Sequence, residues 1–317
     1  MKVLYALRRS GVLGINRRNA EFTLRWNPRS AYPMVDDKLR TKKLCARAGI
    51  PTPRLRAVAR HHFEVRRLRE AMAKLTSFVL KPARGAMGNG ILVVRERDGA
   101  RFRLAGGRSI TLDDLAYHAA GVISGLYAIA GQTDAAIVEE RLLVHPELAC
   151  IATEGVPDVR VIVYRGVPVM AMTRLPTLRS GGRANLHQGA VAAGIDLETG
   201  RTTHAILNSR PIRQHPDTGA ALLGRAIPDF ADVLGYALRA ADETGLGYVG
   251  ADLVVDAQRG PVLLEMNARP GLMIQLANRA GLLPRLRAID REIAPGRSAA
   301  ERIALAVSIA RRAESAA

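Results

Sequence analysis

Short apolar runs broken by glycine or polar clusters recur along most of the chain, and their period shifts between 2 and about 3.6 residues. Phe78-Val79-Leu80 and Ile91-Leu92-Val93-Val94 flank a loop that holds Lys81, Gly85, Gly88 and Gly90. Runs of this length bounded by glycine read as strands. A further strand at 135–138 ends on two adjacent acids, Glu139 and Glu140. "DVRVIVYRGVPVMAMTRLP" reads as a strand, a tight turn at Arg165-Gly166 and a returning strand. A strand-turn pair is expected over 100–112, and a long Gly-rich loop follows at "TLRSGGRANLHQGAVAAG".

Helical spacing appears elsewhere. Asp36 or Asp37 caps a helix over 38–48 that puts Leu39, Leu44 and Cys45 on one face, with Gly49, Pro51 and Pro53 ending it. Further helices are expected over 64–75, 111–130 and 228–244, and the tail from about 285 reads as helical. Residues 1–35 read as a basic, poorly patterned arm that passes into the Pro- and Asn-rich "RWNPRSAYP". No internal repeat is found, so the fold class is α+β with mostly antiparallel hairpins.

The most informative segment is "VGADLVVDAQRGPVLLEMNA". As a hairpin turning symmetrically about 258–259, it sets Asp252 opposite Glu265. Directly opposed residues on an antiparallel pair have Cβ atoms about 5 Å apart, and like charges there repel. Asn267, two residues beyond Glu265, projects from the same side. Two carboxylates and an amide oxygen then converge amid apolar neighbours, a donor set suited to Mg²⁺. They are too few for a closed cage, which fits a cation shared with substrate phosphates. A slip of one residue would instead turn one acid to solvent.

The chain has 317 residues and a net charge of +18. Residues 1–110 carry 26 Lys and Arg against 7 Asp and Glu, and the remainder is close to neutral. Either a functional basic face or a solvated surface in an Arg-preferring protein accounts for this, since Arg outnumbers Lys 41 to 6. With 5 Phe, 1 Trp and 7 Tyr, and no stacking or zinc motif, the composition argues against a nucleic-acid partner. Peripheral contact with an anionic membrane stays open. Two cysteines imply no disulfide framework and a reducing, cytoplasmic setting. The first residues do not form a signal peptide, and no run reaches the ~20 apolar residues of a spanning helix.

Read in order, "DKLRTKKLCARAGIPTPR", "VLKPARGAMGNGI", "IVEERL", "DVRVIVY", "RANLHQG" and "GADLVVD…VLLEMNARPGL" resemble the blocks of the ATP-grasp superfamily, in its glutamate ligase-like branch. The resemblance covers residues 36 to about 275. It implies two α+β lobes that sandwich ATP: a basic arm over 1–35, a first lobe over 36–136 with the glycine loop, a second lobe over 137–290, and a helical tail over 291–317. It also implies a reaction, the ATP- and Mg²⁺-dependent ligation of a carboxylate to an amine through an acyl phosphate, with release of ADP. Two Mg²⁺ ions are expected, with Mn²⁺ as an alternative.

The site residues follow from the same resemblance. Lys81 and Lys38 would meet the phosphates of ATP, and Gly85, Gly88 and Gly90 would let the loop backbone approach them. Glu139 or Glu140 would contact the adenine or the ribose. Asp252, Glu265 and Asn267 would hold the metal. Arg160, Arg174 and Arg183 would stabilise oxyanions, and Asn185 would position substrate. His187 would be a structural or substrate contact rather than a base. Two departures, Gln188 where the branch has Arg and Arg269 where it has Ser, bear on the substrate pocket. Only some 35 residues precede Asp36, and "GINRRNAEF" resembles the first segment of sugar-transfer-associated ATP-grasp proteins. The amino-acid donor, glutamate or a related compound, and the amine acceptor would thus meet a wall built by the arm, a second copy or a partner protein.

Overall fold

The computed structural model describes residues 10–85, 88–128 and 132–315. Two antiparallel sheets with helices packed on them make the chain α+β, as the hydrophobic pattern predicts. The first sheet has the order β1-β6-β2-β3-β4-β5 and the second β11-β10-β9-β8-β7-β12-β13. In the first sheet, β1 is Leu55–Ala59, β2 Phe78–Pro82, β3 Leu92–Asp98, β4 Arg101–Leu104, β5 Ser109–Thr111 and β6 Ala136–Glu139. In the second, β7 (Asp158–Tyr164), β8 (Val167–Leu175), β9 (Val191–Ile195) and β12 (Tyr248–Asp256) are interior and β13 (Gly260–Asn267) forms one edge. β10 (Thr202–Leu207) pairs next to β9, and β11 (Arg210–Ile212) forms the other edge.

Each lobe has its own core. Helices Val65–Met72 and Leu112–Ile123 pack on the first sheet, burying Leu68, Met72, Phe78, Phe102 and Leu115. Thr111 caps the second of these with a reciprocal Thr111–Asp114 box, so it starts where β5 ends. It stops at Ile123, short of the 130 expected, and Gly125 follows with φ of 84°. The larger core lies on the second sheet, where helix Phe230–Thr244 and the tail helices Leu282–Glu292 and Ala299–Ser315 pack.

The stretch before Asp36 also enters this larger core, through Leu13, Phe22 and Val35. Its helix is not regular. Between Ile15–Arg17 and Leu24–Trp26 the residues Arg18–Thr23 form a π-helical turn. A π turn breaks the 3.6-residue spacing of apolar positions, which is why the sequence pattern there is illegible. The buried Asn27 locks the segment down by donating to the carbonyls of Tyr248 and Ala268.

Helix Lys38–Arg47 joins the lobes. Asp37 is its cap, accepting from the amides of Leu39 and Arg40, and Gly49 ends it with φ of 63°. Lys38 therefore stands at the helix start, and Lys42 one turn on along the same face.

Candidate active site

A cavity of about 890 Å³ lies between the two sheets. Every site residue expected from the sequence lines it except Gly85 and Gly90. Its floor is one face of the second sheet, and strand register decides which groups meet there. Asp158 and Arg160, two apart on β7, project to the same side. β7 sets Asp158 opposite Arg174 of β8 and Arg160 opposite Asp252 of β12.

The hairpin β12–β13 does place Asp252 opposite Glu265, but not through the register assumed from the sequence. The turn is one residue tighter, with Asp256 facing Gly260 and Leu253 facing Leu263. A bulge at Leu264 then restores the offset, and Asn267 comes to face Gly250. The bulge leaves Glu265 and Asn267 on the cavity side.

These groups form a continuous network. Arg160 donates to Asp252 through Nε at 2.7 Å and Nη2 at 2.5 Å. Arg174 donates to Asp158 through Nε at 2.7 Å and Nη2 at 2.5 Å, and its Nη2 lies 2.9 Å from Asp252 Oδ2. Burial favours protonation of Asp252, but Arg160 and Arg174 outweigh it and hold this carboxyl well below the usual range. Asp158, with a single guanidinium as direct partner, is pushed up to about 6 by burial against the pull of Arg174. Asp158 was not singled out from the sequence. The available signal was an acid two residues before Arg160 in an otherwise apolar strand.

The Asn267 side-chain amide donates to Asp252 Oδ2 at 3.1 Å and to Glu265 Oε1 at 3.3 Å, so an N–H donor stands between the two carboxylates. Rotated about its terminal bond, the same amide offers its oxygen. Among the described residues no group of three or more His, Cys, Asp or Glu is arranged to hold a metal. Asp252, Glu265 and the Asn267 amide oxygen are donors of the hard kind, and they number only three.

The opposite wall is cationic. Lys81 Nζ sits 2.6 Å from Glu139 Oε2, and Lys42 Nζ sits 2.9 Å from Glu139 Oε1 as an ion pair not aligned for a hydrogen bond. Lys42 donates instead to the Pro53 carbonyl at 2.5 Å. Glu139 is 1% exposed. Burial favours its protonation, yet the two ammonium groups hold its carboxyl below the usual range. Lys42 was missed in the sequence, where a Lys one turn into a helix looks like a surface residue. Lys38 donates from Nζ to the Gly85 carbonyl at 2.9 Å, and burial lowers its proton affinity against the pull of Glu265. Lys81 and Lys42 share the one carboxylate of Glu139, so this cluster carries a net positive charge.

Glu140 is held by the Arg54 amide at 2.8 Å and by the Arg259 guanidinium. Arg183 and His187 are exposed at the cavity mouth, and Arg183 donates to Gln188 at 3.4 Å. Asn185 turns its loop by accepting from the His187 amide at 3.0 Å. Arg269 lines the same mouth and lies over the Tyr32 ring, 5.3 Å from its centroid.

The glycines divide. Gly88 (φ 77°) lines the cavity. At Gly85 a Cβ would fall 2.3 Å from the Pro82 ring, and at Gly90 (φ 73°) 2.6 Å from the Tyr127 ring. Those two positions require glycine for packing within the first lobe.

Residues 17–291 match the family described as sugar-transfer associated ATP-grasp. The chain belongs to that family. No curated protein sequence matches it. Among solved structures, the ATP-grasp ligase PsnB complexed with a minimal precursor is 20% identical with a TM-score of 0.45, over 84% of this chain and 62% of its own. The VanG D-Ala:D-Ser ligase from Enterococcus faecalis is 16% identical with a TM-score of 0.48, over 88% of this chain and 62% of its own. The D-cycloserine synthetase DcsG is 14% identical with a TM-score of 0.44, over 92% of this chain and 73% of its own. The chain thus spans 62% of the length of PsnB and of VanG. Membership of the ATP-grasp family accounts for the order of the sequence blocks and for the two antiparallel sheets. No helix among the described residues is long and apolar enough to cross a membrane.

Proposed function

We propose that this protein is an ATP- and Mg²⁺-dependent carboxylate–amine ligase that releases ADP. The observation that carries the reading is one cavity with Lys38 and Lys81 on one wall and the Asp252–Glu265–Asn267 set beside Arg160 and Arg174 on the other. Polyphosphate needs such a surplus of fixed positive charge, and the Asp252–Glu265 pair offers oxygen donors to a cation bound with it. Mg²⁺, held by Asp252, Glu265 and Asn267, would neutralise phosphate charge as it develops.

In the proposed reaction a substrate carboxylate oxygen attacks the γ-phosphorus of ATP, and the bond to the β-phosphate oxygen breaks, giving an acyl phosphate and ADP. The acceptor amine then adds to the acyl carbon, loses a proton, and phosphate leaves with the C–O electron pair. Lys38 and Lys81 orient the phosphates. Lys81 must part from Glu139 to do so, while Lys42 stays to neutralise the buried acid. Arg160 and Arg174, fixed by Asp252 and Asp158, present guanidinium groups to the developing oxyanions. Arg183 at the mouth supplies a further cation for the oxyanions, Asn185 positions substrate, and Glu139 or Glu140 contacts the adenine or the ribose.

The donor is glutamate or a related amino acid, and the acceptor is a peptide, a protein or a small amine. A second reading, modification of a saccharide or its precursor, rests on the family description. ATP turnover with a panel of amino acids and amino sugars, resolved as ADP or AMP, separates these. Amino-acid-stimulated ADP release, abolished by Lys81→Ala and by Glu265→Ala, supports ligation. Stimulation by amino sugars alone supports the second reading, and AMP with pyrophosphate sinks the mechanism.

A further inference from the structure

The first lobe contains a hydrogen-bonded chain that the chemistry above does not use. Tyr127, just beyond helix Leu112–Ile123, has its hydroxyl 3.2 Å from His118 Nδ1, and His118 Nε2 lies 2.9 Å from the Gly90 carbonyl. The carbonyl accepts only, so Nε2 carries the proton and Nδ1 accepts from the tyrosine. This fixes one tautomer and one direction: Tyr127 to His118 to Gly90. The two rings pack with centroids 5.0 Å apart, and the Tyr127 ring lies against the bare Cα of Gly90, where a Cβ would come within 2.6 Å.

Gly90 is where the glycine loop hands over to β3, and two residues earlier Gly88 lines the cavity. Both have positive φ, 77° and 73°, which leaves the backbone here soft unless something outside it sets its path. Burial, reinforced by Arg108, lowers the proton affinity of His118, so the ring stays neutral near pH 7 and the chain stays intact.

We infer that His118 is a positioning residue for ligation: with Tyr127 it clamps the Gly90 carbonyl and so sets the height of the Gly88–Gly90 backbone over the cavity. The inference rests on the nucleotide-binding reading for its effect on turnover, but the clamp itself is testable without nucleotide.

The test compares His118→Gln, His118→Phe and His118→Ala in the full chain. Glutamine offers an N–H to Gly90 and an oxygen to Tyr127, whereas phenylalanine keeps the ring and loses both bonds. In the free protein, hydrogen exchange of a peptide covering 88–94 should speed up about five- to tenfold in the Phe and Ala variants, the loss expected for one hydrogen bond, and stay within about twofold of wild type in Gln. With ATP and Mg²⁺, KM for ATP should rise by a similar factor in Phe and Ala, and Gln should restore it. Wild-type exchange in the Ala variant overturns the clamp whatever the nucleotide data show. A normal Phe variant beside an impaired Gln variant also overturns it, because the ring would then act by packing. Altered exchange in a protein that binds no nucleotide leaves the clamp standing and refutes the ligase reading instead.

Discussion

Removing the Glu139 carboxylate is the sharpest perturbation of the cationic wall. The acid is 1% exposed and lies 2.6 Å from Lys81 Nζ and 2.9 Å from Lys42 Nζ, and side-chain exposures of 9% and 15% leave the two ammonium groups little water. Replacing it by alanine strands two buried cations near a third, Lys38, that already feels Lys81. Breaking a buried pair costs about 3–5 kcal/mol, and part of it is recovered here because Lys42 keeps the Pro53 carbonyl. Glu139→Ala is therefore expected to lose about 3 kcal/mol against denaturant, followed by fluorescence of the single tryptophan, Trp26. The pH dependence has a definite sign. Lys81 and Lys42 outweigh burial and lower the folded-state proton affinity, so the contribution is full above the unfolded value of about 4.3 and is lost as pH falls below it. The gap between wild type and variant should thus be constant from pH 6 to 8 and close on acidification. Saturating Mg²⁺–ATP supplies the missing negative charge, so it should stabilise the variant more than the wild type. A loss under 1 kcal/mol, or a gap that widens as pH falls, would refute the buried-pair account.

Asp158→Ala frees one side of Arg174, which keeps only its 2.9 Å contact to Asp252, so turnover should fall about 10²-fold with little change in KM for ATP, measured by steady-state kinetics. Asn267→Asp sets a third carboxylate beside Asp252 and Glu265. It should lower the melting temperature without metal and enlarge the rise on adding Mg²⁺, read by differential scanning fluorimetry. Cys150 is exposed and Cys45 buried, with burial pushing the Cys45 thiol up to about 11. A thiol reagent at pH 8 should therefore modify one cysteine in the native protein and the second only in denaturant.

Local chemistry was legible wherever neighbours in sequence set it. The Asp37 cap, the Arg165-Gly166 turn and the Asp252–Glu265 opposition all follow from spacing within one hairpin or one helix. What spacing could not show was compensation. The hairpin reaches the expected opposition through a tighter turn and a bulge at Leu264, two offsets that cancel. Long-range burial was also hidden. Lys42 and Asp158 gain their roles from Glu139 and Arg174, on strands far along the chain. Gly85 and Gly90 looked like phosphate-loop glycines, yet Pro82 and Tyr127 explain their missing side chains. In the first stretch a π turn hid the periodicity of Leu13, Phe22 and Val35.

The central claim is that a carboxylate is activated by phosphoryl transfer in the cavity between the two sheets. The direct measurement uses the amino acid that stimulates ADP release, labelled with ¹⁸O in its carboxylate, and mass analysis of the inorganic phosphate formed. Ligation through an acyl phosphate moves one labelled oxygen into phosphate for each product made. Unlabelled phosphate, with both labelled oxygens kept in the amino acid, would contradict the account.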